Sequence, residues 1–319
     1  MLKFSYVFVF AILIATASQA QTRGPDTGKV LQTVTINAYL SSLPVLNIPA
    51  SVAVLGSSQL KLQSGTSLVP ALNTVPGVRM EERSPGSYRL SLRGSLLRSP
   101  FGVRDVKVCF DEIPLTDAGG NTYLNAIDVN SINSLEILKG PDGSLFGANS
   151  GGVVIIRPAG PDTARQAGSI LNTGSYGLFH ENIAVQDHWT GDALHISQGF
   201  QTYGGYRQHS NMRRHYVQAV NKWNYAGDNE LKALAFYADL FYNTPGGLTL
   251  AQEQADPRAA RLATKTVPGA IEQNISISTK MLTGGLVNSL KIAPHLKNIA
   301  AIYGSHVYFA NPFITNYEQ

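Results

Sequence analysis

Between residues 83 and 107 the chain carries Arg83, Arg89, Arg93, Arg98, Arg104 and Lys107 against one acid, Asp105. Guanidinium groups present forked N–H donors that match a carboxylate, so a run of this kind can bind an anionic ligand. It can equally pair with acidic side chains on a neighbouring element. A second candidate is LQTVTINA at residues 31–38, where Val34 and Ile36 alternate with Thr33 and Thr35 in a polar stretch. Such a strand offers backbone N–H and C=O groups that a partner's strand can complete. A third is KGPDGSLFGANSGG at residues 139–152, glycine-rich like a phosphate cradle. Its spacing excludes that role. A P-loop needs G-x-x-x-x-G-K-[ST], and here Gly143 and Gly147 are followed by Ala148 and Asn149.

No G-x-G-x-x-G, G-x-S-x-G or H-E-x-x-H occurs, and the seven histidines are scattered, with His188, His209 and His215 in or beside turns. Neither an enzyme nor a bound cofactor is therefore expected. The single cysteine, Cys109, excludes an internal disulfide.

The elements that would position these residues fall into four parts. Lys3 followed by the apolar run from Phe4 to Ala17, with small residues at Ser18 and Ala20, reads as a signal peptide cleaved after Ala20. The run is too short for the ~20 residues that span a bilayer. Residues 21–46 read as a mobile tail. Residues 47–160 read as an α/β mixture of one domain's size. Its strands are SVAVLGSS at 51–58, RLSLRG at 89–94, VKVCFDEIPL at 106–115, LEILK and VVIIRP, with two short helical patches between residues 57 and 75.

From Ala167 onward the period becomes two. Leu194, Ile196 and Phe200 alternate with His195, Ser197 and Gln201, and Leu234, Phe236, Ala238, Leu240 and Tyr242 alternate with Ala235, Tyr237, Asp239 and Phe241. Segments of ~10 residues suit tilted membrane strands, and Trp223, Tyr225 and Tyr242 fall near segment ends, where interfacial girdles would lie. Short connections such as WTGD and AGDNE alternate with longer ones, as in outer-membrane barrels. Only 14% of residues are charged, against ~25% in soluble proteins. A soluble β-sandwich would also alternate, but with shorter strands and more charge. The net charge of +4 forms no basic helix or stripe, so nucleic acid is not an expected partner.

In this order the parts resemble a TonB-dependent outer-membrane receptor. KGPDGSLFGANSGGVVII is similar to the signature that closes the family's plug domain, LSLRG to its S-I-R-G, and VKVCFDEIPL to its strand ending in D-G-V-P-L. LQTVTINA resembles the TonB box, placed here on Gln32, Thr33, Val34, Thr35, Ile36, Asn37 and Ala38. Lys139 stands where the family usually has arginine, and Glu112 where it often has glycine.

The resemblance implies an α+β plug domain at 47–160 followed by an antiparallel transmembrane β-barrel. Residues 161–319 supply only its first part, about seven strands. The chain's close on NPFITNYEQ, in apparently structured sequence, reads as a fragment of something longer. The resemblance further implies uptake of a ferric chelate across the outer membrane of a Gram-negative bacterium. TonB with ExbB and ExbD would be the energy partners, and outer-membrane lipid would surround the barrel. Arg83, Arg89, Arg98 and Arg104 become the candidate ligand-binding residues, with ferric citrate or another carboxylate chelate as the ligand. Arg93 and Lys139 become candidate plug–barrel contacts. Uptake of cobalamin or a glycan, and a truncated protein that transports nothing, remain the alternatives.

Overall fold

The computed structural model describes residues 35–36, 43–44, 47–95, 102–141, 146–147, 151–161, 164–311 and 315–318. The signal peptide, Gln32 to Val34, Asn37, Ala38 and Arg98 lie outside these residues.

The run GVVIIRP is apolar without alternation, which suits a strand covered on both faces. It forms β9 (Gly152–Pro158), inside a five-stranded sheet. The other strands are β3 (Val52–Leu55), β6 (Val106–Phe110), β7 (Ile113–Pro114) and β8 (Ile132–Lys139), in the order β3-β8-β9-β6-β7. β6 and β9 are parallel; the other pairs are antiparallel. Outside this sheet β4 (Val78–Glu82) and β5 (Tyr88–Leu92) form a hairpin. Two short helices, α1 (Ser57–Lys61) and α2 (Val69–Leu72), precede it.

Two readings are corrected here, and one strand is added. VKVCFDEIPL is not one strand: Asp111, with φ of 57°, turns the chain so that Phe110 pairs with Ile113. SVAVLGSS stops being a strand at Leu55, and Ser57 opens a helix. VRMEE is a strand that its charges concealed, with Val78 and Met80 buried and Arg79 exposed.

Gly152 shows why one side of β9 must lack a side chain. Its φ is 128°, and a Cβ would overlap the Leu138 carbonyl oxygen of the neighbouring strand.

The second body is an antiparallel meander of seven full strands and a short eighth. In order these are β10 (Gln166–Gly174), β11 (Leu178–Trp189), β12 (Asp192–Tyr203), β13 (Met212–Tyr225), β14 (Asn229–Asn243), β15 (Ser276–Ala293), β16 (Leu296–Asn311) and β17 (Thr315–Glu318). At one end the connections are short, at residues 190–191, 226–228 and 294–295. At the other they include residues 204–211 and 244–275, the latter holding α3 (Leu250–Ala255). These are the turn end and the loop end. The described strands leave the sheet unclosed.

The meander is inside-out relative to a soluble sheet. Ile183, Val185, Ile196, Val217, Leu282, Leu286 and Ile302 are exposed on one side of it, while His180, Asn182, Ser197, Gln201, Gln218 and Thr283 are buried on the other. Apolar-out and polar-in is the pattern of a strand that meets lipid on one side. Trp189, Trp223 and Tyr225 are exposed near the turn end, as a girdle requires. Tyr242 departs from that expectation. It turns inward and packs over Gly86 of the plug, where a Cβ would stand 3.0 Å from its ring. Among the described residues no helix is long and apolar enough to cross a membrane.

One apolar core joins the two bodies. Val106, Val108, Phe110, Leu135, Ile137, Val154 and Ile156 of the plug cluster with Tyr216, Val220, Leu234, Phe236, Met281 and Val307 of the wall. The Phe110 and Phe236 rings meet at 5.1 Å. This explains why the more apolar face of β14 points inward: plug, not lipid, covers it.

Candidate functional site

Asp128 sits just before a 3-10 turn at Val129–Ser131, its carboxylate accepting from the Asn130 backbone N–H at 3.3 Å. The turn projects this side chain into the wall, where it is fully buried. His180 Nε2 donates to it at 3.1 Å and Asn182 Nδ2 at 2.9 Å, both from β11. Arg214 of β13 brings a guanidinium nitrogen to 3.6 Å, donates to Gln201 Oε1 at 2.6 Å, and reaches the Asn125 carbonyl at 3.3 Å. Gly199 makes the approach possible: a Cβ there would occupy the space of the Asp128 carboxylate. Beside it Ser131 and Ser197 share a hydrogen bond of 3.0 Å.

Burial by itself would raise the Asp128 carboxyl. The His180 hydrogen bond, the Arg214 charge and Asn182 outweigh it, and the group lies below its ordinary value. It is a fixed anion at neutral pH.

Nearer the turn end lies a second charged group. The hairpin turn between β6 and β7 presents Asp111 and Glu112 to Lys232 of β14; Lys232 Nζ donates to Asp111 and, at 2.6 Å, to Glu112. Arg157 of β9 also bonds Asp111 and reaches Glu136 at 3.0 Å and Glu112 at 3.7 Å. Burial opposes ionisation of Asp111, but Lys232 and Arg157 hold it below the usual carboxylate range. Glu112, the departure from the resemblance, is thus an ion-pair partner of the wall.

In both clusters the plug supplies the acids and the wall a cation, Arg214 or Lys232, with Arg157 of the plug sharing the acids of the second. Sequence reasoning had assigned the cations of such contacts to the plug and passed over Asp128, His180, Arg214 and Lys232. His180 and Asn182 do stand on the polar side of an alternating strand, and that was the available signal.

The expected site residues do not converge. Arg83 is exposed where β4 turns toward β5, its N–H bonded to the Ser87 carbonyl at 3.1 Å. Arg89 is half-buried on β5 and donates to Glu81 at 3.2 Å; Glu81 also takes Arg79 at 2.7 Å. Arg104 is exposed beside the Val103 bridge to Thr122, away from that pair in the chain. Arg93 and Lys139, expected at the wall, make contacts inside the plug. The Arg93 N–H donates to the Gly77 carbonyl at 2.8 Å, and Lys139 Nζ to the Pro76 carbonyl at 3.0 Å. Of the strand segment, Thr35–Ile36 pairs with Leu43–Pro44. Those two strands are β1 and β2. Among the described residues no group of three His, Cys, Asp or Glu could hold a metal ion.

A mixed sheet domain seated by buried ion pairs against the polar face of an antiparallel meander is the arrangement of a plug set against a barrel wall. Residues 44–154 match the sequence profile of the TonB-dependent Receptor Plug Domain. That match covers the plug, and the strands that follow it share the fold of the barrel walls of outer-membrane receptors of known structure. The chain is 24% identical over 178 residues to the vitamin B12 transporter BtuB of Vibrio vulnificus (strain CMCP6), covering 54% of this chain and 28% of that one. The pyoverdine receptor FpvA of Pseudomonas aeruginosa PAO1 superposes with a TM-score of 0.70 at 17% identity, over 87% of this chain and 40% of that one. The ferric citrate transporter FecA in its unliganded form gives 0.68 at 17% identity, over 84% of this chain and 41% of that one. The chain therefore spans less than half the length of each.

Proposed function

We propose that the protein takes part in TonB-dependent active uptake of a ferric chelate across the outer membrane. The ligand binds at the loop end, on the plug and outer loops, and coupling runs through Gln32 to Ala38. TonB, energised with ExbB and ExbD, adds a strand to that segment and pulls. The observation that supports this best is the plug itself: a domain seated against the wall by buried charged clusters obstructs the pore such a wall would enclose. A passive pore has no use for it.

A ferric chelate is favoured by the likeness to receptors of iron complexes. The likeness to a vitamin B12 transporter keeps cobalamin as the second reading. Val34→Pro in the intact protein in its own outer membrane tests the coupling, because proline removes a backbone donor from the added strand. Uptake should vanish while ligand binding persists. Unchanged uptake would refute the assignment of the coupling segment. Growth of a deletion strain on iron sources and on cobalamin separates the two ligand readings.

A further inference from the structure

At the loop end a cleft of about 350 Å³ opens between the plug and the wall. The β4–β5 hairpin supplies Glu82 and Tyr88, the β10–β11 turn Tyr176, and β12 Gln201 and Tyr203. Ser67, ahead of α2, closes the plug side.

This corner is built. Glu82 Oε1 accepts the Gly86 N–H at 2.9 Å, which fixes the carboxylate within its own hairpin. Tyr88 donates to Ser67 Oγ at 3.1 Å, and burial holds its phenol at about 12, a neutral donor at any physiological pH. Tyr176 is kept at a φ of 59°, uncommon for an aromatic residue, because its carbonyl takes the Gly204 N–H at 2.9 Å. Its ring packs edge-on to Tyr206 at 5.5 Å, with the Arg258 guanidinium 5.5 Å above it. That stack joins three loop-end connections around the mouth. Among the described residues Glu82 is the one charged side chain lining the cleft itself, with the Arg258 guanidinium over Tyr176 at the mouth. The nearest cation behind it, Arg214, is buried and committed to Asp128 and Gln201.

We propose that this cleft is a ligand subsite for an ammonium-bearing arm of the chelate, packed against Tyr203 and facing Glu82. The proposal rests on the uptake reading and sharpens its substrate class. Phenol faces attract a cation and a carboxylate pairs with it, whereas a carboxylate arm would meet like charge. It turns the preference away from the citrate-type ligand that the arginine run suggested.

The test compares three probes on the intact protein in detergent: a ferric trihydroxamate with a free terminal amine, the same chelate N-acetylated, and ferric dicitrate. Binding is read by retention of radiolabelled iron on the immobilised protein. The wild type should bind the amine form about tenfold or more above the acetylated form, the size of a hydrogen bond to a charged group. Glu82→Gln keeps an acceptor for the Gly86 N–H, so the hairpin survives; it should remove that preference and leave the acetylated form unchanged. Equal binding of amine and acetylated forms by the wild type, an unaltered preference in Glu82→Gln, or tighter binding of ferric dicitrate would overturn the subsite. The Val34→Pro uptake assay reports separately on the transporter reading. Coupled uptake without an amine preference removes the subsite alone, and an amine preference without coupled uptake removes the transporter reading alone.

Discussion

Asp128→Asn should loosen the plug, and Cys109 provides the measurement. The substitution keeps the shape of the side chain but removes the charge that answers Arg214, a guanidinium only 2% exposed. Removing one partner of a buried ion pair costs about 3–5 kcal/mol. The amide can still hydrogen-bond His180 or Asn182, so the lower figure applies. At about 1.4 kcal/mol per decade, roughly 3 kcal/mol is about a hundredfold rise in the open population. Cys109 is the only cysteine, lies 4% exposed in the plug sheet, and has a thiol pushed up to about 11 by burial. Cys109 packs with Ile48, Leu138, Val153 and Ile155 in a cluster of plug residues apart from the one that meets the wall, so folded protein in detergent should resist maleimide, and its labelling rate, normalised to urea-unfolded chain, reads unfolding of the plug once its seat is lost. Asp128→Asn should label about a hundredfold faster, and adding Arg214→Gln should restore part of the protection. Labelling within threefold of wild type would refute the claim that this pair seats the plug. The pH dependence has a defined sign. Asp128 titrates below its ordinary value when folded, so its contribution is whole above about pH 4 and is lost as pH falls through the lower folded value. Protection should be flat from pH 8 to 5 and fail only in stronger acid.

Gly199→Ala places a methyl group where the Asp128 carboxylate lies and should lower the urea midpoint for Cys109 exposure by an overpacking cost of about 1–3 kcal/mol. Lys232→Met strips the wall cation from Asp111 and Glu112 but leaves Arg157, so accelerated labelling is expected, smaller than for Asp128→Asn. Glu82 is exposed at the cleft, yet partial desolvation there raises its carboxyl, with the Gly86 N–H and Arg214 opposing. Affinity for the amine-bearing chelate should therefore begin to fall above pH 4.5 as pH is lowered, with no such fall for the acetylated form.

Much of the architecture was legible because it rests on period. Ile196 and Val217 against Ser197 and Gln218 announce a strand with two unlike faces, and VVIIRP announces a covered one. Period does not say what covers each face. On β14 the apolar set, Leu234, Phe236, Ala238 and Leu240, meets the plug, so an apolar stripe marks plug contact as readily as lipid. Local geometry was legible only where one residue dictates it. Nothing in the apolar run around Phe110 and Ile113 discloses the left-handed Asp111 that turns it into a hairpin.

The candidate site was the least legible part, for a physical reason that also bears on how the plug is held. Arginines are conspicuous in sequence, yet Arg89 is matched by Glu81 within its own hairpin, and Arg93 sits against the plug's own turn. The contacts that seat the plug depend on single acids, Asp128 and Asp111, placed by a 3-10 turn and a left-handed residue. Their cations, Arg214 and Lys232, lie 86 and 121 residues further along. Only strand register brings them level. Two such contacts near opposite ends of the strands resist tilting better than either alone, while each, once hydrated, loses most of its strength. A plug held this way stays rigid until one end is wetted. The loop-end contact also touches the cleft, because Arg214 bridges Asp128 to Gln201, a residue of its lining.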